Sequence, residues 1–528
     1  MAGSVKGVCA ERLAERQSAA RVARSFMRLG SHKPGKVQAR RVVDRNSQRC
    51  ERRAGPIQLR AASYELRQFG RLVGMEAEPK LERTLGLGGA VTLNLLDMIG
   101  VGPFITLPLL LGAMGGPQAM LGWVLGAGLA VCDGMVWAEL GAMMPEAGGT
   151  YVYLRKMFGG GLGRLLSFLF VFQLCFSAPL SVASGCIGLS QYATYLWPAL
   201  VGKTIWVAIA AVGVAVLLLY RKLDRVRVLS VGLLVVVLGT IGWAVVTGLL
   251  HGHWGNVVAF SPGEFVLDRG FFMGLGSAML IATYDYWGYY NVTFLGGEVR
   301  DAGRTIPRAV LLSIGIVFVL YMALNASVLS VLPAGRLLAA QNLEARRALL
   351  SQMMQVAYGS PTAGKIAAVL VMVTAFASVF SLLLGYSRIP FAAARDGNFI
   401  GAFGRLHRTK KFPHVALLAL AGVACLCCFF SLGEVIAALV VLRILLQFGL
   451  QHVGVMLLRR QRPEMRRPFR MWLYPLPPVL ALLGFGFLVV ERVGFGRQVM
   501  LAGVVALVGC LVYAGRRICG GMKESGRA

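Results

Sequence analysis

From Leu85 onward the chain alternates apolar runs of about twenty residues with short polar connections. Each run is long enough to cross ~30 Å of hydrocarbon at 1.5 Å per residue, so the pattern predicts helices that span a bilayer. Twelve spans are expected, near residues 85–112, 117–141, 162–196, 203–220, 226–250, 270–298, 306–333, 364–392, 412–431, 434–458, 473–491 and 498–515. The third and eighth are long enough to tilt or to extend beyond the bilayer. The connection after span 7 carries NLEARRALLSQMMQVAY, which reads as a short amphipathic helix on the outer side.

The polar connections orient these spans. Arg155, Lys156 and Arg164 follow span 2, RKLDRVR follows span 4, and Arg300, Arg304 and Arg308 follow span 6. Span 8 is followed by Arg395, Arg405, Arg408, Lys410 and Lys411, span 10 by RRQRPEMRRPFR, and span 12 by Arg516, Arg517 and Lys523. The connection after span 1 has no charge and the one after span 3 has only Lys203. Positive charge collects on the cytosolic face, so both termini are expected in the cytosol.

Two spans are interrupted. Span 1 contains LLDMIGVGPFITLPLL, with GVGP at residues 100 to 103 about halfway along it. Glycine has little helix preference and Pro103 lacks the N–H that a helix interior uses, so the helix is expected to open there. Span 6 runs the opposite way and carries TYDYWGYYN near its centre, with Asp285, Trp287 and Gly288 breaking an apolar helix. Unpaired backbone at such depth is tolerated where it lines a polar cavity. Broken spans five apart and of opposite direction predict a five-plus-five inverted repeat, an inference from helix order, since the halves share no convincing residue-level similarity. The second half of span 1 begins near Pro103, and its free N–H groups and positive dipole end suit a carboxylate. The second half of span 6, from Gly288, presents another positive end, while the half-helices before both breaks end in free carbonyls that suit an ammonium or a cation. Together these ends match a zwitterion better than a sugar or a simple anion.

Composition agrees with the spans: 56% of residues are hydrophobic and 15% charged, against roughly 25% charged in soluble domains. The net charge of +30 raises nucleic acid as a partner, but the basic residues sit in an N-terminal extension and short connections. A nucleic-acid groove needs one continuous basic face, so lipid and a small molecule are the expected partners. Residues 1 to 74 hold 17 Lys or Arg against five acids and no apolar run, which reads as a disordered basic extension; the acids speak against an organelle transit peptide. MEAEPKLERTLGLGG, from Met75, reads as a start of the permease proper. The expected division is a basic extension at 1–80, a core of spans 1 to 10 at 81–460, and spans 11 and 12 with a cytosolic tail at 461–528. The ten cysteines are scattered, Cys425, Cys427 and Cys428 within an apolar run, and read as buried free thiols. Dispersed histidines, HGH at 251 to 253 included, point to no metal site, and no cofactor is expected.

Acids within the spans carry the remaining chemistry, because an ionised carboxylate in hydrocarbon needs a partner or a proton. Asp97 lies one turn before the first break, where it either titrates or pairs with a substrate ammonium. Asp285 is a second pocket candidate. Asp133 and Glu139, six residues apart on span 2, do not share a face. Glu139 reads as a helix-end hydrogen-bond partner and Asp133 stays open. Gln173, Ser177, Thr374 and Ser378 contribute to a pocket or cation site, or simply pack between helices. Glu298 reads as part of a loop charge network with Arg300, Arg304 and Arg308.

The chain resembles the amino acid-polyamine-organocation permeases over residues 85 to 460. Three motifs carry the resemblance: GVGPF in span 1, AELGAMMPEAGGTYVYLRKMFG at 138 to 159, and YWGYYNVTFLGGEVRDAGRTIPRA at 286 to 309. It implies an all-α, leucine-transporter-like fold of 12 transmembrane helices. It further implies that Ile99, Gly100, Val101 and Gly102 hold a substrate carboxylate, and that Asp285, Tyr286, Trp287, Gly288 and Tyr289 line the amine and side-chain pocket. Asp97, Asp285, Thr374 and Ser378 are the candidates for coupling or amine partners, and the resemblance implies that Glu139, Gly148, Gly149 and Arg155 shape a cytosolic gate. The family often has tryptophan where Tyr289 aligns, with Trp287 here two positions earlier, and the lysine that proton-coupled members often carry in span 5 is missing from RVLSVGLLVVVLGTIGW.

The function expected is secondary transport of an amino acid across the plasma membrane by alternating access, as a proton- or sodium-coupled symporter or an exchanger. A polyamine or cationic amino acid carrier is the alternative within transport, and a channel or transporter-derived receptor the alternative outside it. GxSxG, HExxH and clustered histidine ligands are absent, which argues against an enzyme.

Overall fold

The computed structural model describes residues 83–221, 223–260, 265–339, 348–430, 443–490 and 495–525. The described residues are mostly helical and contain no strand. Among the described residues five helices are long and apolar enough to cross a membrane, and five shorter apolar helices accompany them. The basic extension at 1–80 lies outside the described residues.

Helix α1 (Leu87–Met98) stops at Ile99, and after a 3-10 turn at Gly102–Phe104 the chain resumes as α2 (Leu107–Met114). Pro103 and Pro108 stand in the first turns of these two segments, where the missing N–H costs nothing. Next come α3 (Met120–Met143), α4 (Thr150–Phe158), α5 (Gly160–Leu196), α6 (Thr204–Leu219) and α7 (Leu223–His251). Helix α8 (Arg269–Tyr286), capped by Asp268 accepting from Phe271 N at 2.7 Å, is followed by the single turn α9 (Asn291–Phe294). The remaining helices of eight residues or more are α10 (Ala302–Val331), α11 (Leu349–Tyr358), α12 (Pro361–Tyr386), α13 (Arg388–Arg395), α14 (His414–Cys427), α15 (Leu450–Gln461), α16 (Leu476–Val490) and α17 (Phe495–Ser525).

Helix α3 runs along α8 and α10, α5 runs along α12, and α1 lies against α10 and α12. Small residues let α3 and α8 cross closely: a Cβ on Gly122 would lie 3.0 Å from the Ala278 carbonyl carbon, and one on Gly126 3.4 Å from Thr283 N. Close backbone approach through small residues is how helices pack where no water drives them together. The outward faces are apolar, with Trp206, Leu217, Val235 and Leu483 among the exposed side chains.

Two expectations fall partly outside the described residues and one is modified. Among the described residues the amphipathic stretch after span 7 is a helix from Leu349, with Leu349, Leu350, Met353 and Met354 buried; residues 340–347 lie outside them. The start of span 10, at 434–442, also lies outside them. Span 6 does not continue as a long half-helix after Gly288. It makes only α9 and a 3-10 turn at Gly296–Glu298, because its backbone is drawn into other pairings: Phe294 O accepts from Gly148 N, and Glu298 O from Thr84 N and Leu85 N.

That turn also overturns the expected Glu298 loop network. The Glu298 side chain points inward and pairs with Arg388 at the start of α13, through Nε at 2.8 Å and Nη2 at 3.3 Å. Both side chains are 2–4% exposed. Burial selected the one guanidinium that reaches it inside the protein over three that stand in solvent-facing positions nearby in sequence.

Candidate substrate cavity

The two breaks meet. A Cβ on Gly288 would lie 2.7 Å from Met98 N and 2.9 Å from Asp97 C, and Gly288 holds φ at +128°. Only glycine fits a backbone that close in that conformation. Side chains hold the junction by bonding to backbone groups at and beside the breaks. Asn94 clamps both sides, its Nδ2 donating to Tyr289 O at 2.6 Å and its Oδ1 accepting from Val292 N at 2.9 Å. The Tyr321 hydroxyl donates to Met98 O at 2.6 Å and lies 3.3 Å from Asp285 O. Ser378 donates to Asp97 O at 3.2 Å, Ser381 to Leu93 O at 2.8 Å, and Tyr192 to Phe104 O at 3.0 Å.

A cavity is lined from both breaks. Of the residues singled out in the sequence, Asp97, Gly100, Val101, Gly102, Asp285, Trp287, Gly288 and Ser378 line it. Ile99, Tyr286, Tyr289 and Thr374 do not. Tyr286 packs edge-on against Trp123 at 5.8 Å, the Tyr289 hydroxyl turns to Asp133, and the Thr374 hydroxyl returns to Leu370 O at 3.0 Å. Gln173 and Ser177 are buried off the lining.

Asp285 Oδ2 accepts from Thr106 at 2.6 Å, which fixes the carboxylate against Gly102, where a Cβ would collide with Oδ1. Asp285 Oδ1 and Asp97 Oδ2 are buried with no partner among the described residues. Buried oxygens of this kind need a donor, and an ammonium supplies one.

Arg443, Ser181, Ser184, Tyr284, Tyr290 and Tyr386 also line the cavity and escaped the sequence reading. Arg443 is the most consequential. It is buried, donates to Ser181 Oγ at 2.8 Å and Tyr290 OH at 3.2 Å, and stands over the Tyr386 and Trp287 rings at 5.1 and 5.7 Å. Its Nε has no partner among the described residues. The signal was there, a lone arginine in VVLRILLQF, since a cation in an apolar span faces the protein interior.

The residues expected at a gate fall into two separate clamps. Arg155 Nη1 reaches Asp396 at 2.6 Å and Tyr151 OH at 2.7 Å, fastening α4 to the end of α13. Burial, and then Asp396, push the Tyr151 phenol well above its ordinary value, so it stays a donor to Asp396. Glu139 instead binds Arg459 of α15, with Nε at 2.9 Å, and accepts from Met471 N at 2.8 Å. Gly148 and Gly149, at φ +111° and +50°, make the turn that brings Gly148 N to Phe294 O.

A family model described as amino acid permease matches residues 86–510, and the chain belongs to that family, within the amino acid-polyamine-organocation permeases. It is therefore a multi-pass membrane protein of a transporter family, and such families are not enzymes. An uncharacterized transporter of Mycobacterium tuberculosis is 32% identical over 349 residues, 65% of this chain and 73% of the relative. The human Asc-type amino acid transporter 1 is 26% identical over 463 residues, covering 85% and 84% of the two chains. The serine/threonine exchanger SteT of Bacillus subtilis is 26% identical over 454 residues, 83% of this chain and 97% of SteT.

Proposed function

We propose that the protein is a secondary carrier that moves an amino acid by alternating access around the two broken helices. The observation that carries this is the junction itself: two helix interruptions in backbone contact, with a half-helix start and two unpartnered carboxylate oxygens on one cavity. In this reading the backbone from Gly100 to Gly102 receives the substrate carboxylate, Asp97 and Asp285 receive its ammonium, and Trp287 shields it. The fold is read as twelve spans with spans 1 to 5 mirrored by 6 to 10, both termini in the cytosol, and the protein in the plasma membrane.

Arg443 weighs against the polyamine or cationic amino acid alternative. A cargo with a second ammonium would bring it beside a buried guanidinium, and like charges in a low-dielectric site repel strongly. The names of the relatives, a serine/threonine exchanger and an Asc-type amino acid transporter, favour a zwitterionic cargo as well. The test is reconstitution into liposomes with radiolabelled amino acids and polyamines, imposed proton or sodium gradients, and substrate preloaded inside. Saturable accumulation or exchange of amino acids supports the carrier. Conductive flux without saturation identifies a channel, and no transport across the panel sinks the reading.

A further inference from the structure

Behind Tyr290 lies a second cluster of titratable groups that the substrate cavity does not use. Asp133 stands midway along α3, Tyr289 on the span 6 break and His452 in the first turn of α15, and all three are fully buried. Asp133 Oδ2 accepts from Trp137 Nε1 at 3.1 Å and from the Tyr289 hydroxyl. Its other oxygen, Oδ1, faces His452 Nε2 at 3.2 Å. On the far side of the ring, His452 Nδ1 is 2.7 Å from Phe448 O.

These contacts fix the proton count. A carbonyl oxygen only accepts, so the hydrogen of the neutral imidazole is on Nδ1. Nε2 of that ring then points a lone pair at a carboxylate oxygen, and two lone pairs facing each other in a dry site repel. Neither Nε2 nor Oδ1 has a hydrogen-bond partner elsewhere among the described residues. The approach is bonding only when one further proton sits between them, on the imidazole or on the carboxyl.

We propose that Asp133 and His452 jointly bind one proton, and that this pair is the proton-coupling site of the carrier. The inference rests on the carrier reading above. The proton is taken from water on one side of the membrane, held between Nε2 and Oδ1, and returned to water on the other, with no bond to substrate formed or broken. The two ligands of the proton sit on different helices, α3 and α15, so any motion that parts these helices lowers the affinity for it. A ligand that binds one conformation more tightly than the other biases the equilibrium between them, which is what coupling requires.

The link to substrate is short. Tyr289 adjoins Gly288, which closes the junction, and its carbonyl is the one clamped by Asn94 of α1. Trp137, the second donor to Asp133, stacks on the lining residue Tyr290 at 4.6 Å. The surroundings leave the pair as the titrating unit. Tyr289 and Tyr290 face it from the break, Cys132 adjoins it on α3, and Arg443 reaches this region only as far as the Tyr290 hydroxyl. Helix α16 contributes Phe485, edge-on to the imidazole at 5.8 Å, and α10 packs Val310 and Ile314 against Gly134. Among the described residues no Lys or Arg pairs with Asp133.

Liposomes loaded with a pH-sensitive dye test this, using whichever of the common L-amino acids the full-length protein exchanges against itself. Wild type is expected to acidify the lumen as amino acid enters. Asp133→Asn and His452→Gln are expected to keep exchange between preloaded and external substrate and to lose the acidification. Tyr289→Phe removes one hydrogen bond to Asp133 and is expected to move the pH profile of uptake by about one unit, the worth of a hydrogen bond to a charged group. Should the first two variants fail to fold, Tyr289→Phe decides alone, an unmoved profile overturning the proposal. Wild-type proton movement in folded Asp133→Asn, or exchange by wild type with no proton movement, also overturns it and leaves the carrier intact. Absence of exchange for every amino acid refutes the carrier reading itself.

Discussion

Replacing Gly288 by alanine tests whether the two breaks form one structure. The added methyl would stand 2.7 Å from Met98 N and 2.9 Å from Asp97 C, backbone atoms that cannot rotate away. The conformation adds to the cost, since φ is +128° and a side chain there is strained whatever the space. Strain of this kind is worth about 1–3 kcal/mol, and overpacking a filled site about 1–3 kcal/mol more, so the substitution costs about 2–6 kcal/mol. That is a large part of the stability of an ordinary fold. The control is Gly315→Ala in α10, where nothing lies within 4 Å of the new methyl and helix propensity improves. Scanning fluorimetry of the detergent-solubilised protein is expected to show a clear drop in melting temperature for Gly288→Ala and none for Gly315→Ala. Substrate exchange in liposomes is expected to be lost in the former alone. A Gly288→Ala protein that melts and transports like wild type would refute the contact between the breaks.

Glu298→Gln is expected to destabilise the protein by about 3–5 kcal/mol, because it leaves Arg388 buried without its counter-ion, and a joint replacement of both by methionine is expected to recover much of the loss; equal melting of single and double variants would refute the pairing. Arg443→Gln is expected to let lysine and putrescine compete for uptake where they do not in wild type, and an unchanged inhibitor profile would remove Arg443 from selectivity. Asp97→Asn is expected to raise KM about 10- to 100-fold through the lost charged hydrogen bond to the ammonium, while proton movement persists. Loss of proton movement in that variant would instead make Asp97 the coupling group.

The span pattern and both breaks were legible because they are local. GVGP announces an interruption by residue type, and so does TYDYWGYYN. What the breaks become was less legible: nothing in YYNVTFLGGE says that the chain leaves the helix after Phe294 to pair with Gly148 and Leu85. Within a break there is no helical period to assign a face, so Tyr286 and Tyr289 could not be separated from Trp287 by sequence. The partners of buried charges were hidden for a different reason. Glu298 has three arginines within ten residues and pairs with a fourth ninety residues away, because burial, not sequence distance, selects the partner. Asp133 and His452 likewise meet only through the packing of α3 against α15. Arg443 was readable as an anomaly and its company was not, since Ser181, Tyr290 and Tyr386 lie on three other elements.

The junction of the two breaks is proposed as an amino acid site in a carrier. Labelled amino acids offered to proteoliposomes that hold purified protein, with and without preloaded substrate and imposed ion gradients, test it most directly. Saturable uptake of a zwitterionic amino acid is expected, driven by an inward proton gradient or by exchange, and lost in Gly288→Ala. Uptake of no amino acid under any gradient or preload, or uptake that Gly288→Ala leaves unchanged, would contradict it.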